Sequence, residues 1–94
     1  MITFKDLLER TNSELIAIHT PTEKQAITLL TELDKRGYKW NSGEKLTDIT
    51  CYEVEKENTC YIFEPNKKVM YSPLDFYQEV GYTIVEFTDI DLEN

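Results

Sequence analysis

Apolar positions recur along the chain in two rhythms. At helical spacing, Phe4, Leu7 and Leu8 share one side of Phe4–Arg10, and Ala26, Leu29, Leu30 and Leu33 form a second stripe that leaves Glu32, Lys35 and Arg36 outside it. In short runs, Leu15 to His19, Thr59 to Glu64, Lys68 to Tyr71 and Tyr82 to Phe87 read as strands. Pro65-Asn66-Lys67 lies between two of these runs and has the residue types of a hairpin turn. Thr3 is placed to cap the first helix, and Thr11-Asn12-Ser13 breaks it.

Two stretches follow one plan of strand, cap, helix, glycine stop and strand. In the first, Thr20 is the predicted N-cap and Pro21 the first helical residue. Glu23 completes a capping box, the helix runs to Arg36, Gly37 ends it, and Tyr38-Lys39-Trp40 follows. In the second, Ser72 and Pro73 take the same roles, Asp75 puts an acid in the first turn, and Gly81 ends a helix reaching Val80. This second helix has barely two turns and is expected to bury Phe76, Val80 and one face of Tyr77. Its length leaves a full parallel crossover and a simpler link both open. Asn41 to Asn58 reads as a loop with one poor strand around Thr47 to Tyr52, and the tail from Thr88 to Asn94 is expected to fray. The resulting fold class is α+β: a single two-layer domain with a mixed or antiparallel sheet of four or five strands and two or three helices packed on one face.

Charge adds a constraint. The 94 residues carry 18 Asp and Glu against 10 Lys and Arg, a formal charge of −8, which argues against direct nucleic-acid binding because counterion release needs clustered cations. The excess is local, since Glu79, Glu86, Asp89, Asp91 and Glu93 close the chain with no basic residue among them. The opening Met1 to Asp6 has no basic region leading into an apolar run, and no stretch approaches the ~20 apolar residues of a membrane span. A soluble, cytoplasmic protein without membrane contact is the expectation. Cys51 and Cys60 read as reduced thiols. With His19 the only histidine, neither a metal nor another cofactor is expected.

Two sets of candidate site residues follow. His19 and Tyr71 stand at the ends of strands that lead into helices, where open α/β sheets hold ligands. With Thr20 and Ser72 at the helix starts, they form a set suited to a nucleotide or phosphate. No glycine-rich loop accompanies them, and each proline removes an amide. Catalysis is not expected, because a trio such as Ser72, His19 and Asp75 lacks a nucleophile elbow and a Cys–His pair has no further support. The second set faces a protein partner. The chain holds more rings than a modest core hides, and Trp40, near Gly43 in a polar stretch, is the leading anchor with Tyr82 beside it. Glu79, Glu86, Asp89 and Asp91 supply a carboxylate row able to occupy a basic groove in place of phosphates.

His19-Thr20-Pro21-Thr22-Glu23, the Gly37-Tyr38-Lys39-Trp40-Asn41-Ser42-Gly43 turn, Glu57-Asn58-Thr59-Cys60-Tyr61 and Gly81-Tyr82-Thr83-Ile84-Val85-Glu86-Phe87 carry a resemblance. Between Ile18 and Ile90 the chain resembles small accessory proteins of phages and prophages from low-GC Gram-positive bacteria. That context includes inhibitors of host defence, anti-CRISPR proteins among them, and sponges for signalling nucleotides. The implied reading is a non-enzymatic phage-encoded protein in the bacterial cytoplasm that inhibits a host or defence protein, such as a nucleic-acid-binding nuclease, through an acidic, tyrosine-rich surface. The alternatives are a nucleotide- or phosphate-sequestering protein and a self-associating accessory or virion component.

Overall fold

Local signals place most element boundaries in the computed structural model, which describes residues 1–92. β1 (Ile2–Thr3) leads into α1 (Phe4–Arg10), where the Thr3 hydroxyl accepts from the Asp6 amide at 3.1 Å. β2 (Ile16–His19) is followed by α2 (Glu23–Lys35). Here the structure corrects the expected cap. Thr22 has extended backbone angles and its hydroxyl accepts from the Gln25 amide at 3.2 Å, so it is the N-cap and Pro21 lies outside the helix. Thr20 is fully buried and belongs to the sheet. Its amide and hydroxyl both donate to the Thr59 carbonyl, at 3.0 and 3.2 Å. Pro21 explains the displacement, because a residue before proline is driven to extended angles and Thr20 therefore prolongs the strand.

Gly37, at φ +86°, closes α2 and turns the chain into β3 (Lys39–Trp40). The strand expected around Thr47 to Tyr52 does not form; a single bridge joins Lys39 to Lys45. The chain then enters α3 (Tyr52–Glu55) and a 3₁₀ turn at Lys56–Asn58. β4 (Thr59–Phe63) and β5 (Lys68–Pro73) make the expected hairpin. Ser72 is not a cap. It pairs with Cys60 and Pro73 pairs with Thr59, so the ladder holds both residues and α4 (Leu74–Glu79) begins after them. β6 (Thr83–Glu86) and a 3₁₀ turn at Phe87–Asp89 lead to β7 (Ile90–Asp91). β7 pairs in parallel with β1, so the tail is docked as far as Asp91, and the expected fraying at Glu93 and Asn94 lies outside the described residues.

The main sheet has the order β3-β5-β4-β2-β6. β4 runs antiparallel to both neighbours, while β3 is parallel to β5 and β6 to β2. The α+β class is as the sequence predicts, the sheet is the mixed five-strand member of the alternatives it left open, and the short α4 does complete a parallel crossover. The two crossovers, β2-α2-β3 and β5-α4-β6, travel in opposite directions across the sheet. A shared right hand then requires their helices to lie on opposite faces.

That is the arrangement found. Apolar residues of α1 and α2 pack with Ile16, Ile18, Tyr61, Phe63 and Val69 on one face, whereas Tyr77 of α4 packs with Ala17, Cys60 and Ile62 on the other. Two helices share one face as expected, but α4 adds a third layer that the two-layer reading lacks. The larger core is aromatic, with Phe4 stacked on Phe63 at 6.3 Å and Tyr38 set edge-on to Phe63 at 5.8 Å. In α4 the burial expected of Phe76 and Val80 fails. They are 47% and 49% exposed, because six residues present only one inward stripe and Tyr77 occupies it.

Replacing Thr22 with Ala is expected to cost about 1 kcal/mol in urea unfolding with an unchanged slope. A neutral result would return the cap to Thr20.

Candidate functional site

The parallel strands β2, β3, β5 and β6 end at His19, Trp40, Pro73 and Glu86. In open sheets this end usually holds the ligand. Here the chain itself crosses it. The Trp40 indole N–H donates to the Ile49 carbonyl at 2.9 Å, and the Tyr61 hydroxyl donates to the Thr50 carbonyl. The Tyr52 hydroxyl donates to the Pro21 carbonyl at 2.7 Å, and His19 Nε2 donates to the Glu57 carbonyl at 2.7 Å. Residues 49–58 are thus tied to the strand ends by four side chains.

His19 Nδ1 lies 2.8 and 3.0 Å from the two carboxylate oxygens of Glu86. The imidazole links β2, β6 and the 3₁₀ turn before β4, with its side chain 13% exposed. The expected ligand set does not assemble around it. Thr20 is buried in the ladder, and Ser72 hydrogen-bonds with the Tyr77 hydroxyl on the α4 face. Tyr71, one residue along β5, points to the opposite face and meets Trp40.

Neither sulfur is activated. Burial, with Glu86 adding to it, pushes the Cys60 thiol up to about 12. Burial likewise raises the Cys51 thiol, reinforced by Glu53 and opposed by a hydrogen bond from the Tyr71 hydroxyl. A nucleophilic cysteine needs the reverse shift. Among the described residues, no group of three or more His, Cys, Asp or Glu is gathered to hold a metal ion, and no helix is long and apolar enough to cross a membrane.

The partner-facing set is split. Trp40 is not an exposed anchor: it is 7% exposed, its ring 6.0 Å from those of both Tyr61 and Tyr71. Alternation of Tyr38 and Trp40 about the exposed Lys39 is the sequence signal for this inward face. Tyr82 is half-buried against Tyr77, with ring centroids 4.9 Å apart. The expected tyrosine-rich surface is correspondingly thin. Tyr38, Tyr61 and Tyr77 are buried, and Tyr52, Tyr71 and Tyr82 are half-buried. Phe76 is the aromatic residue that projects.

The carboxylates are spread over successive elements at the end of the chain. Glu79 and Asp89 are exposed, Glu86 keeps 46% of its side chain in solvent while holding His19, and Asp91 is half-buried in β7. They stand on α4, β6 and the segment that follows β6. Among the described residues β6 pairs with β2 alone and is an outer strand of the sheet. At the other edge β3 has two residues and β5 has six, which leaves a notch of about 390 Å3 lined by Trp40, Glu44, Ile49, Cys51, Met70 and Tyr71. Sequence reasoning missed this notch, since the unequal lengths of two paired strands have no local signature.

Burial also sets a pH dependence. Cys60 and Tyr77 are raised to about 12 and Tyr61 is raised further, mainly by desolvation. The unfolded chain releases these protons near the ordinary values, about 8.5 for a thiol and 10 for a phenol. The folded chain keeps them, so stability holds below about pH 9 and falls as pH rises toward 12, by about 1.4 kcal/mol per pH unit for each proton retained. Thermal unfolding between pH 8 and 11 checks this, with a shallower decline expected in Cys60→Ala; a flat profile contradicts it. Compared with protein families, curated proteins and solved structures, the chain finds no match.

Proposed function

We propose that the chain is a non-enzymatic binding protein of the phage-borne, anti-defence kind. It blocks the nucleic-acid-binding surface of a bacterial host or defence protein by presenting carboxylates where that surface receives phosphates. The observation that carries this reading is the succession of carboxylates Glu79, Glu86, Asp89 and Asp91 on α4, β6 and the two short elements after it, a stretch whose Phe76 and Val80 are half-exposed. No Lys, Arg or His follows Lys68 in the sequence. A negative surface of this kind steers a basic partner and speeds encounter, while a projecting aromatic with an aliphatic neighbour supplies desolvated contact. The protonated thiols and the fully engaged imidazole support a binding role over catalysis.

The nucleotide- or phosphate-binding alternative loses its support, since Thr20 and Ser72 are held in the sheet and neither caps a helix. A self-associating component gains none from carboxylates that would face their own like charge.

Glu79 and Asp89 are exposed and suit a test that leaves the His19–Glu86 contact intact. Glu79→Lys with Asp89→Lys is expected to weaken capture of basic, nucleic-acid-binding proteins from bacterial lysate by about tenfold or more, with slower association on raising salt and competition by duplex DNA. Capture that is equal for the variant and unaffected by DNA overturns the reading.

A further inference from the structure

The notch beside β3 has a chemistry of its own, at the sheet edge opposite β6. Four strand spacings, about 19 Å, separate the two edges. Its walls are aromatic and aliphatic. Trp40 and Tyr71 stand at 77° to one another with ring centroids 6.0 Å apart, and Ile49 adds apolar surface. The rim carries Glu44, and nearby carboxylates are felt inside it. Glu53 and Glu44 act on the Cys51 thiol, and Glu55 and Glu53 act on the Tyr71 hydroxyl, each in the direction expected of negative charge close by. Lys39 and Lys68 alternate with the inward-facing Trp40 and Val69, which directs their side chains to the other face of the sheet.

The walls are also fixed in place. Cys51 adopts φ 61° and ψ 7°, a left-handed conformation that costs a non-glycine residue about 1 kcal/mol. Such strain persists where neighbours over-determine the backbone. Here the Ile49 and Thr50 carbonyls accept from Trp40 and Tyr61, and Tyr52 is anchored on Pro21. The outcome is a pre-formed recess of about 390 Å3, within the range of small-molecule sites.

We infer that this notch binds a small organic cation, an alkylated ammonium group whose charge rests against Trp40 and Tyr71 and is balanced by Glu44. Aromatic faces attract such a group through their quadrupole, and its methyl groups suit an apolar lining. An anion is repelled by the same carboxylates, and a neutral isostere gains only the apolar contact.

Trp40 is the only tryptophan, so its emission reports occupancy. Titration with choline is expected to give a saturable emission change at millimolar concentration, with 3,3-dimethylbutan-1-ol, its uncharged carbon isostere, at least tenfold weaker. Glu44→Gln and Tyr71→Leu are each expected to weaken choline at least about fivefold with unchanged circular dichroism, and Tyr71→Phe to retain binding. Equal responses to choline and the alcohol, or no response to choline, overturn the proposal. So does a response confined to trimethyl-lysine within a peptide, which assigns the notch to a protein partner. Glu79→Lys with Asp89→Lys is expected to bind choline as the unsubstituted protein does, so this test fails or succeeds independently of those carboxylates.

Discussion

β4 is buried along all five of its residues, and the architecture follows from covering both of its faces. Tyr61 and Phe63 look toward α1 and α2, while Cys60 and Ile62 look toward α4. A single helical layer would leave the second pair in water, at roughly 1.5–3 kcal/mol for each large apolar side chain so exposed. The short α4 is therefore essential although it buries little more than Tyr77. It closes the smaller core and delivers the chain to β6 at the sheet edge. The radius of gyration, 11.9 Å, is that of one globular unit of this length, for which about 12 Å is typical.

The same economy determines where binding can occur. Parallel strands ending together normally create a crevice, but residues 49–58 occupy it and are held by Trp40, Tyr52, Tyr61 and His19. Side chains with familiar catalytic or ligand-binding chemistry thus serve the fold. His19 joins two strands and a turn, and Cys60 is sealed beneath α4. What remains accessible includes the exposed carboxylates Glu79 and Asp89 around β6 and an aromatic notch beside β3.

Features governed by local spacing were legible in the sequence. The buried stripe of α2, the Thr3 cap, the hairpin and the glycine stops each depend on residues a few positions apart. The caps assigned to Thr20 and Ser72 failed for one reason: distant partners, Thr59 and Cys60, claim them for the ladder. Trp40 looked exposed because its neighbours are polar, yet the residues that bury it, Tyr61 and Tyr71, lie over twenty positions away. The acidic character of the last elements was legible because charge needs no knowledge of packing; the projection of Phe76 was not.

Amide chemical-shift mapping of the labelled protein with a basic, nucleic-acid-binding domain of a captured target tests the central claim most directly. The account predicts shifts concentrated between residues 75 and 91, with amides at 19–22 and 49–58 unmoved. Shifts centred on His19, Thr20 and Ser72 would contradict it, by placing the working surface at the strand ends that the chain itself closes.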